Sequence, residues 1–263
     1  IFACKVKCPG ITDAYRAFMK KGLNVLNEPV ETPWGTEHFF VRDPWGNLFD
    51  IEEDQYVFVR ASHLTGGGNG VILGVTDMER SIDFYGKLLD YDTVVSDTTG
   101  VFEDLEGIPG WENTLRRVLL KRSRPIQGPL SELMGPTHLE LVRTLSSMPS
   151  AIYEGRMWGD PGFIHLCFDV RNMDTLQREA EALGHPFVCD SGSGFDMGDA
   201  NGHFSYVEDP DGTLIEFVET YRVPVMKRLG VYIDLRNRDD KKPLGRWLTK
   251  SLRLLSSKPK QSQ

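Results

Sequence analysis

Two stretches decide how this chain is read: VRDPWGNLFDIEE at residues 41–53 and VEDPDGTLIEFVE at 207–219. Each is strand, tight turn, strand. Asp-Pro-x-Gly supplies an asparagine-like side-chain acceptor, a preset φ at the proline and a glycine for a left-handed position. The second strand of each places a carboxylate among apolar neighbours, Asp50 in the first copy and Glu216 in the second.

Upstream of both hairpins lies the same preface. ITDAYRAFMKKG (11–22) and MDTLQREAEALG (173–184) carry apolar residues at helical spacing, Ile11, Tyr15 and Phe18 against Met173, Leu176, Ala180 and Leu183. Asn172 suits an N-cap, and Gly22 and Gly184 suit C-terminal stops. A third helix of this kind, 77–89, has Asp77 as its N-cap and Met78, Ile82, Tyr85 and Leu89 on one stripe. β-rich runs precede all three: IFACKVK (1–7), GVILGV (70–75) and FIHLCFDV (163–170). The middle helix is followed by TVVSD, TLRRVLLKR and THLELVRT, three further candidate strands. The fold class is α+β, a tandem array of βαβββ modules at about 1–55, 70–144 and 160–221.

Bulk properties narrow the function. The 263 residues are 40% apolar and 26% charged, with no long apolar run and no signal-peptide pattern. Cys4, Cys8, Cys167 and Cys189 show no metal-finger spacing, which fits buried thiols in a reducing, cytoplasmic setting. The net charge of −8 argues against a nucleic-acid binder. From Arg222 onward, however, twelve Lys/Arg face three Asp/Glu, so the rest of the chain carries −17. Within that basic tail, 222–263, PLGRWLTKSLRLL (243–255) puts Leu244, Trp247, Leu248, Leu252 and Leu255 on one face of an amphipathic helix. Docking of that helix on its own domain or on a twin subunit, a homodimer, is expected over membrane binding. No integral membrane segment is expected.

The phrases GVILGVTDMERSIDFYGKLL and VEDPDGTLIEFVE, with the order and repetition of the modules, resemble the vicinal oxygen chelate superfamily of glyoxalases, bleomycin-resistance proteins, epimerases and extradiol dioxygenases. The resemblance implies that modules pair into open cups around one divalent metal, held from the first and last strand of each module. It implies a complete glyoxalase-like domain at 70–221. Residues 1–57 would be the second half of an earlier one, and 58–69, with GGG at 66–68, a glycine-rich linker. A chain that opens at Ile1 inside a strand is then expected to continue N-terminally into a fourth module, or to borrow one from a partner.

Carried over residue by residue, the metal ligands are Glu140, His165 and Glu216; the fourth position is Gly70, which cannot ligate. One imidazole and two carboxylates suit Mn, Fe, Co, Ni or Zn. Glu140 or Glu216 would be the base of a 1,2-proton transfer. No further cofactor is implied. His138 and Tyr206 are the candidates to hold those ligands in place from behind; Asn69 is a poor substitute for Gly70, and His203 is read as solvent-exposed. In the early module Ala3 and Asp50 hold the matching positions, and that half is read as structural. The leading function is a metal-dependent lyase or isomerase acting on a small α-oxygenated carbonyl substrate. The alternatives are a non-catalytic binding protein of the bleomycin-resistance kind and, third, an extradiol-type dioxygenase. An ordinary reading is also open, in which Glu140 and Glu216 are strand residues and His165 a satisfied pocket histidine.

Overall fold

A computed structural model describes residues 1–59, 62–193, 195–196, 201–226 and 230–251. Two compact units emerge: 1–125 with 134–166 and 208–215, and 126–133 with 167–207 and 216–263.

The first unit is built on a nine-stranded sheet. Its strands are β1 (Ala3–Cys8), β2 (Asn24–Val25), β3 (Val30–Glu31), β4 (Glu37–Arg42), β5 (Leu48–Glu53), β6 (Gly68–Gly74), β7 (Thr93–Gly100), β8 (Leu115–Lys121) and β9 (His138–Thr144). The order is β2-β4-β5-β1-β6-β9-β8-β7, with β3 on β4. Helices α1 (Ile11–Lys20) and α2 (Met78–Leu89) are the crossovers that parallel β1–β5 and β6–β9 pairing requires. Asp77 caps α2 by accepting from Arg80 N at 3.1 Å. The apolar stripe of α1 packs as expected: Ile11 and Ala14 are buried with Phe39 and Ile51, and Tyr15 and Phe18 meet the Phe39 ring edge-on.

The repeated hairpin turns share one mechanism. Asp43 Oδ1 accepts from Trp45 N and Asn47 N at 2.9 and 2.8 Å. Asp209 Oδ1 accepts from Asp211 N and Thr213 N at 2.9 and 2.8 Å. Gly46 and Gly212 take the left-handed position, φ 94° and 80°.

Module pairing departs from the sequence expectation. The strands β1 and β6 join antiparallel, with Lys5 opposite Gly70, so modules 1–55 and 70–144 share one continuous sheet. The 160–221 module, expected to complete the 70–221 domain, lies instead in a six-stranded sheet. That sheet comprises β10 (His165–Asp169), β11 (Cys189–Asp190), β12 (Phe195–Asp196), β13 (Asn201–Glu208), β14 (Leu214–Met226) and β15 (Val231–Asp234). The first-strand edge of the 70–144 module has one place for a neighbour, and β1 fills it. The 1–55 segment is thus half of this cup, and Gly66 to Gly68, read as linker, run into β6.

In the second unit α4 (Met173–Ala182) begins at Asn172, but the Asn172 side chain does not cap it. Glu219 does, accepting from Asn172 N and Met173 N at 3.0 and 3.1 Å. Two short helices, α3 (Ser131–Met134) and α5 (Arg246–Ser251), and a 3₁₀ turn at Glu103–Leu105 complete the described elements. Leu244 is buried with Val223 and Leu235, and Leu248 packs against them, so the tail contributes to this unit's own core. Trp247, assigned to the same apolar face, is 76% exposed, because the described helix is short and turns that edge outward. Leu252 and Leu255 lie outside the described residues.

Candidate functional site

At the seam of the nine-stranded sheet, strand alternation carries Ala3, Lys5 and Lys7 to one buried face of β1. The register sets Asp50 of β5 beside Lys5, and Glu140 of β9 beside Ile72 of β6. The two last-strand carboxylates thereby converge from both modules on one ammonium. Lys5 Nζ donates to Asp50 Oδ2 at 2.7 Å and to Glu140 Oε2 at 2.9 Å, and Glu52 Oε1 lies 3.8 Å away. The other Glu140 oxygen, Oε1, accepts from Arg117 Nε of β8 at 2.8 Å, and Arg117 also bonds both oxygens of Asp104. His38 sits between Asp50, 2.8 Å, and Asp104, 3.3 Å. Glu52 is met by His138 Nε2 and Asn69 Nδ2, both at 2.8 Å. The Trp34 ring lies under both cations, 5.2 Å from Lys5 Nζ and 5.0 Å from the Arg117 guanidinium.

These groups are excluded from water, so their charges act on each other almost unscreened. Burial alone would lower the Lys5 ammonium, but Asp50, Glu140 and Glu52 outweigh it and hold it above the ordinary lysine value. Burial would raise Asp50, yet Lys5 and His38 keep it below the carboxylate range. Glu52 falls to about 2 against its own burial, through Lys5 and His138. His38 rises to about 9: burial opposes, and Asp50 and Asp104 prevail. The cup floor is therefore a nearly self-neutralised ion lattice.

Beside that lattice opens a cavity of about 250 Å³ with Glu140 on its wall. Phe2, Ile72, Leu105, Ile108, Trp111 and Val142 make most of its lining, with Asn113, Thr144 and Ser147 as the polar minority.

The fold and this geometry agree with one family. Residues 7–51 and 61–217 match the model of the Glyoxalase/Bleomycin resistance protein/Dioxygenase superfamily. The chain belongs to that superfamily. No curated protein matches it. Among solved structures, glyoxalase I from Zea mays is 17% identical and superimposes with a TM-score of 0.53, over 82% of this chain and 66% of the maize chain. A putative dioxygenase from Bacillus subtilis is 13% identical, TM-score 0.51, over 83% of this chain and 61% of the bacterial one. The chain thus spans about two thirds of the maize protein or less of the bacterial one, and at these identities the likeness concerns the fold.

The superfamily implies a divalent metal, and the residues at the Glu140 end of the expected ligand set do not fit one. Both Glu140 oxygens are taken by cations of the chain itself. Among the described residues, no group of three or more His, Cys, Asp or Glu is arranged to hold a metal. Glu140, His165 and Glu216 are not brought together on one sheet: Glu140 belongs to β9 of the nine-stranded sheet, His165 opens β10 and Glu216 lies on β14 of the six-stranded one. Around Glu216 the structure gathers Tyr206, whose hydroxyl donates to Glu216 Oε1 at 2.8 Å, and Cys167. His138 reaches Glu52 rather than Glu140. Asp50, assigned to a structural half, is at the centre of the network, and His203 is buried against Asp190 instead of exposed.

Lys5, Arg117, Glu52 and Asp104 were not among the sequence candidates. Their signal was present in part. Lys5 and Lys7 interrupt an otherwise apolar strand at inward positions, and Arg117 does so in LRRVLLK.

Proposed function

We propose that the 1–144 cup binds a small, compact, largely apolar molecule bearing one or two polar groups, and does so without a divalent metal. The observation that carries this reading is the pairing of an apolar cavity with a Glu140 whose two oxygens are already bonded to Lys5 and Arg117. With both oxygens committed to Lys5 and Arg117, Glu140 is part of the cavity wall, and a ligand's polar groups would meet Asn113, Thr144 and Ser147. Trp111 and Phe2 offer aromatic faces for a ring. This is the sequestering behaviour of the bleomycin-resistance kind rather than lyase, isomerase or dioxygenase chemistry.

A second reading keeps the metal-dependent proton transfer and moves it to the six-stranded sheet. It is supported by Glu216, half-buried and oriented by Tyr206. Glu216 would be the base.

Calorimetric titration of EDTA-treated protein with 1-indanone and cyclohexanone tests the first reading. Saturable binding that is lost in Val142→Trp, which fills the cavity, is the expected result. Binding that appears only after Mn, Co, Ni or Zn is restored, or that survives in Val142→Trp, overturns it.

A further inference from the structure

We propose that Lys5 is a cation site's own occupant: its ammonium stands, covalently tethered, at the point between the last strands of two paired modules where the superfamily's divalent ion would be held. Three features of the chain carry this. The Lys5 Nζ is bonded by one carboxylate from each module, Asp50 and Glu140, and a third, Glu52, lies 3.8 Å away. Those oxygens stand at 2.7 and 2.9 Å, the spacing of an ammonium; a transition metal would draw them to about 2.0–2.2 Å. Finally, Lys5 is fully buried, so an external cation would have to extract it rather than compete with water.

The acidic groups and imidazoles around it form a shell richer in donors than a single ammonium needs. His38 is bonded to Asp50, and His138 reaches Glu52. With the ammonium removed, that shell has the carboxylate and imidazole types that bind Zn, Co or Ni. The present lack of metal geometry thus reflects the tethered cation, not the lack of ligands. This extends the metal-free reading of the cup but does not depend on any organic ligand.

The test compares the unsubstituted chain with Lys5→Ala, both stripped with EDTA, by equilibrium dialysis against Co²⁺ and by visible absorption. Native protein is expected to take up no Co²⁺ that Glu140→Gln removes. Lys5→Ala is expected to bind one Co²⁺ at least about a hundredfold more tightly than the native chain, and to lose it when Asp50→Asn is added. Stoichiometric metal in the native chain that depends on Glu140, or a folded Lys5→Ala that binds Co²⁺ no better than native, overturns the proposal. Should Lys5→Ala be unfolded without metal, refolding with Zn²⁺ decides: recovery of native circular dichroism supports the inference, and failure to recover with Zn²⁺, Co²⁺ or Ni²⁺ overturns it. The 1-indanone titration reads a different property, so either result can fail alone.

Discussion

Lys5 of β1 and Glu140 of β9 meet at 2.9 Å across 135 positions of sequence, and both are fully buried. Neither charge would be tolerated there alone. Their meeting requires the antiparallel β1–β6 seam, which ties the electrostatics of the cup to the pairing of its two modules.

Removing both partners is therefore expected to cost less than the two single losses added together. Glu140→Gln leaves Lys5 and Arg117 under-compensated and should lower stability by about 3–5 kcal/mol. Lys5→Met combined with Glu140→Gln should cost less than the sum of the single changes, with a coupling of at least about 1 kcal/mol. Urea unfolding of the four proteins of this cycle measures it. Additive single effects would show that the pair does not act as a unit.

Stability should also depend on pH from both sides. Glu52 falls from 4.5 to about 2 in the folded cup, so its contribution is present above pH 4.5 and is lost as pH falls toward 2. His38 rises from 6.5 to about 9, so its contribution is full below pH 6.5 and is lost as pH climbs through 9. Melting temperature should accordingly peak between about pH 4.5 and 6.5. In His38→Gln the alkaline decline should flatten, while the acid limb persists. An unchanged alkaline limb would assign the decline to another group.

The modules were legible because their determinants are local. Asp-Pro-x-Gly turns, the Asp77 cap and 3.6-residue stripes are each written within a dozen residues. Which modules share a sheet is decided by the edges of β1, β6 and β10, and edge pairing leaves little trace in any single strand. That choice also fixes the site. Asp50 and Glu140 were visible as inward carboxylates, but only the β1–β6 seam gives them a common partner in Lys5. Arg117 was hidden for the same reason, since its partners Glu140 and Asp104 come from other elements.

Gly70 illustrates how a position that looks like a missing ligand can be a structural requirement. Its φ is 142°, and a Cβ there would fall 1.7 Å from the His138 carbonyl oxygen of the adjoining strand. Gly70→Ala should therefore destabilise by more than about 4 kcal/mol or prevent soluble folding. Gly100→Ala, where no atom lies within 4 Å of the added carbon, should change stability by no more than about 0.5 kcal/mol. Thermal unfolding of both separates the cases. Near-native stability for Gly70→Ala would mean that β6 and β9 can separate without cost. A histidine introduced at Gly70 would meet the same backbone clash, so it could not restore a fourth ligand.

In the six-stranded sheet, Cys167 tests the environment of Glu216. Cys167 has an exposed flank, but the packing around its sulfur and then the Glu216 carboxylate push the thiol up to about 12. Only a trace of thiolate is then present at pH 8, and the thiolate is the nucleophile. Iodoacetamide should therefore modify Cys167 more slowly than Cys189, which is also exposed, as peptide mass spectrometry would resolve. Glu216→Gln removes the charge that opposes ionisation and should accelerate Cys167 by about tenfold, leaving Cys189 within about twofold of its native rate. Tyr206→Phe keeps that charge but deletes the hydroxyl that holds Oε1, so its effect on Cys167 should be smaller than that of Glu216→Gln. Fast native labelling of Cys167 would place its sulfur away from Glu216, and with it the arrangement on which the second functional reading depends.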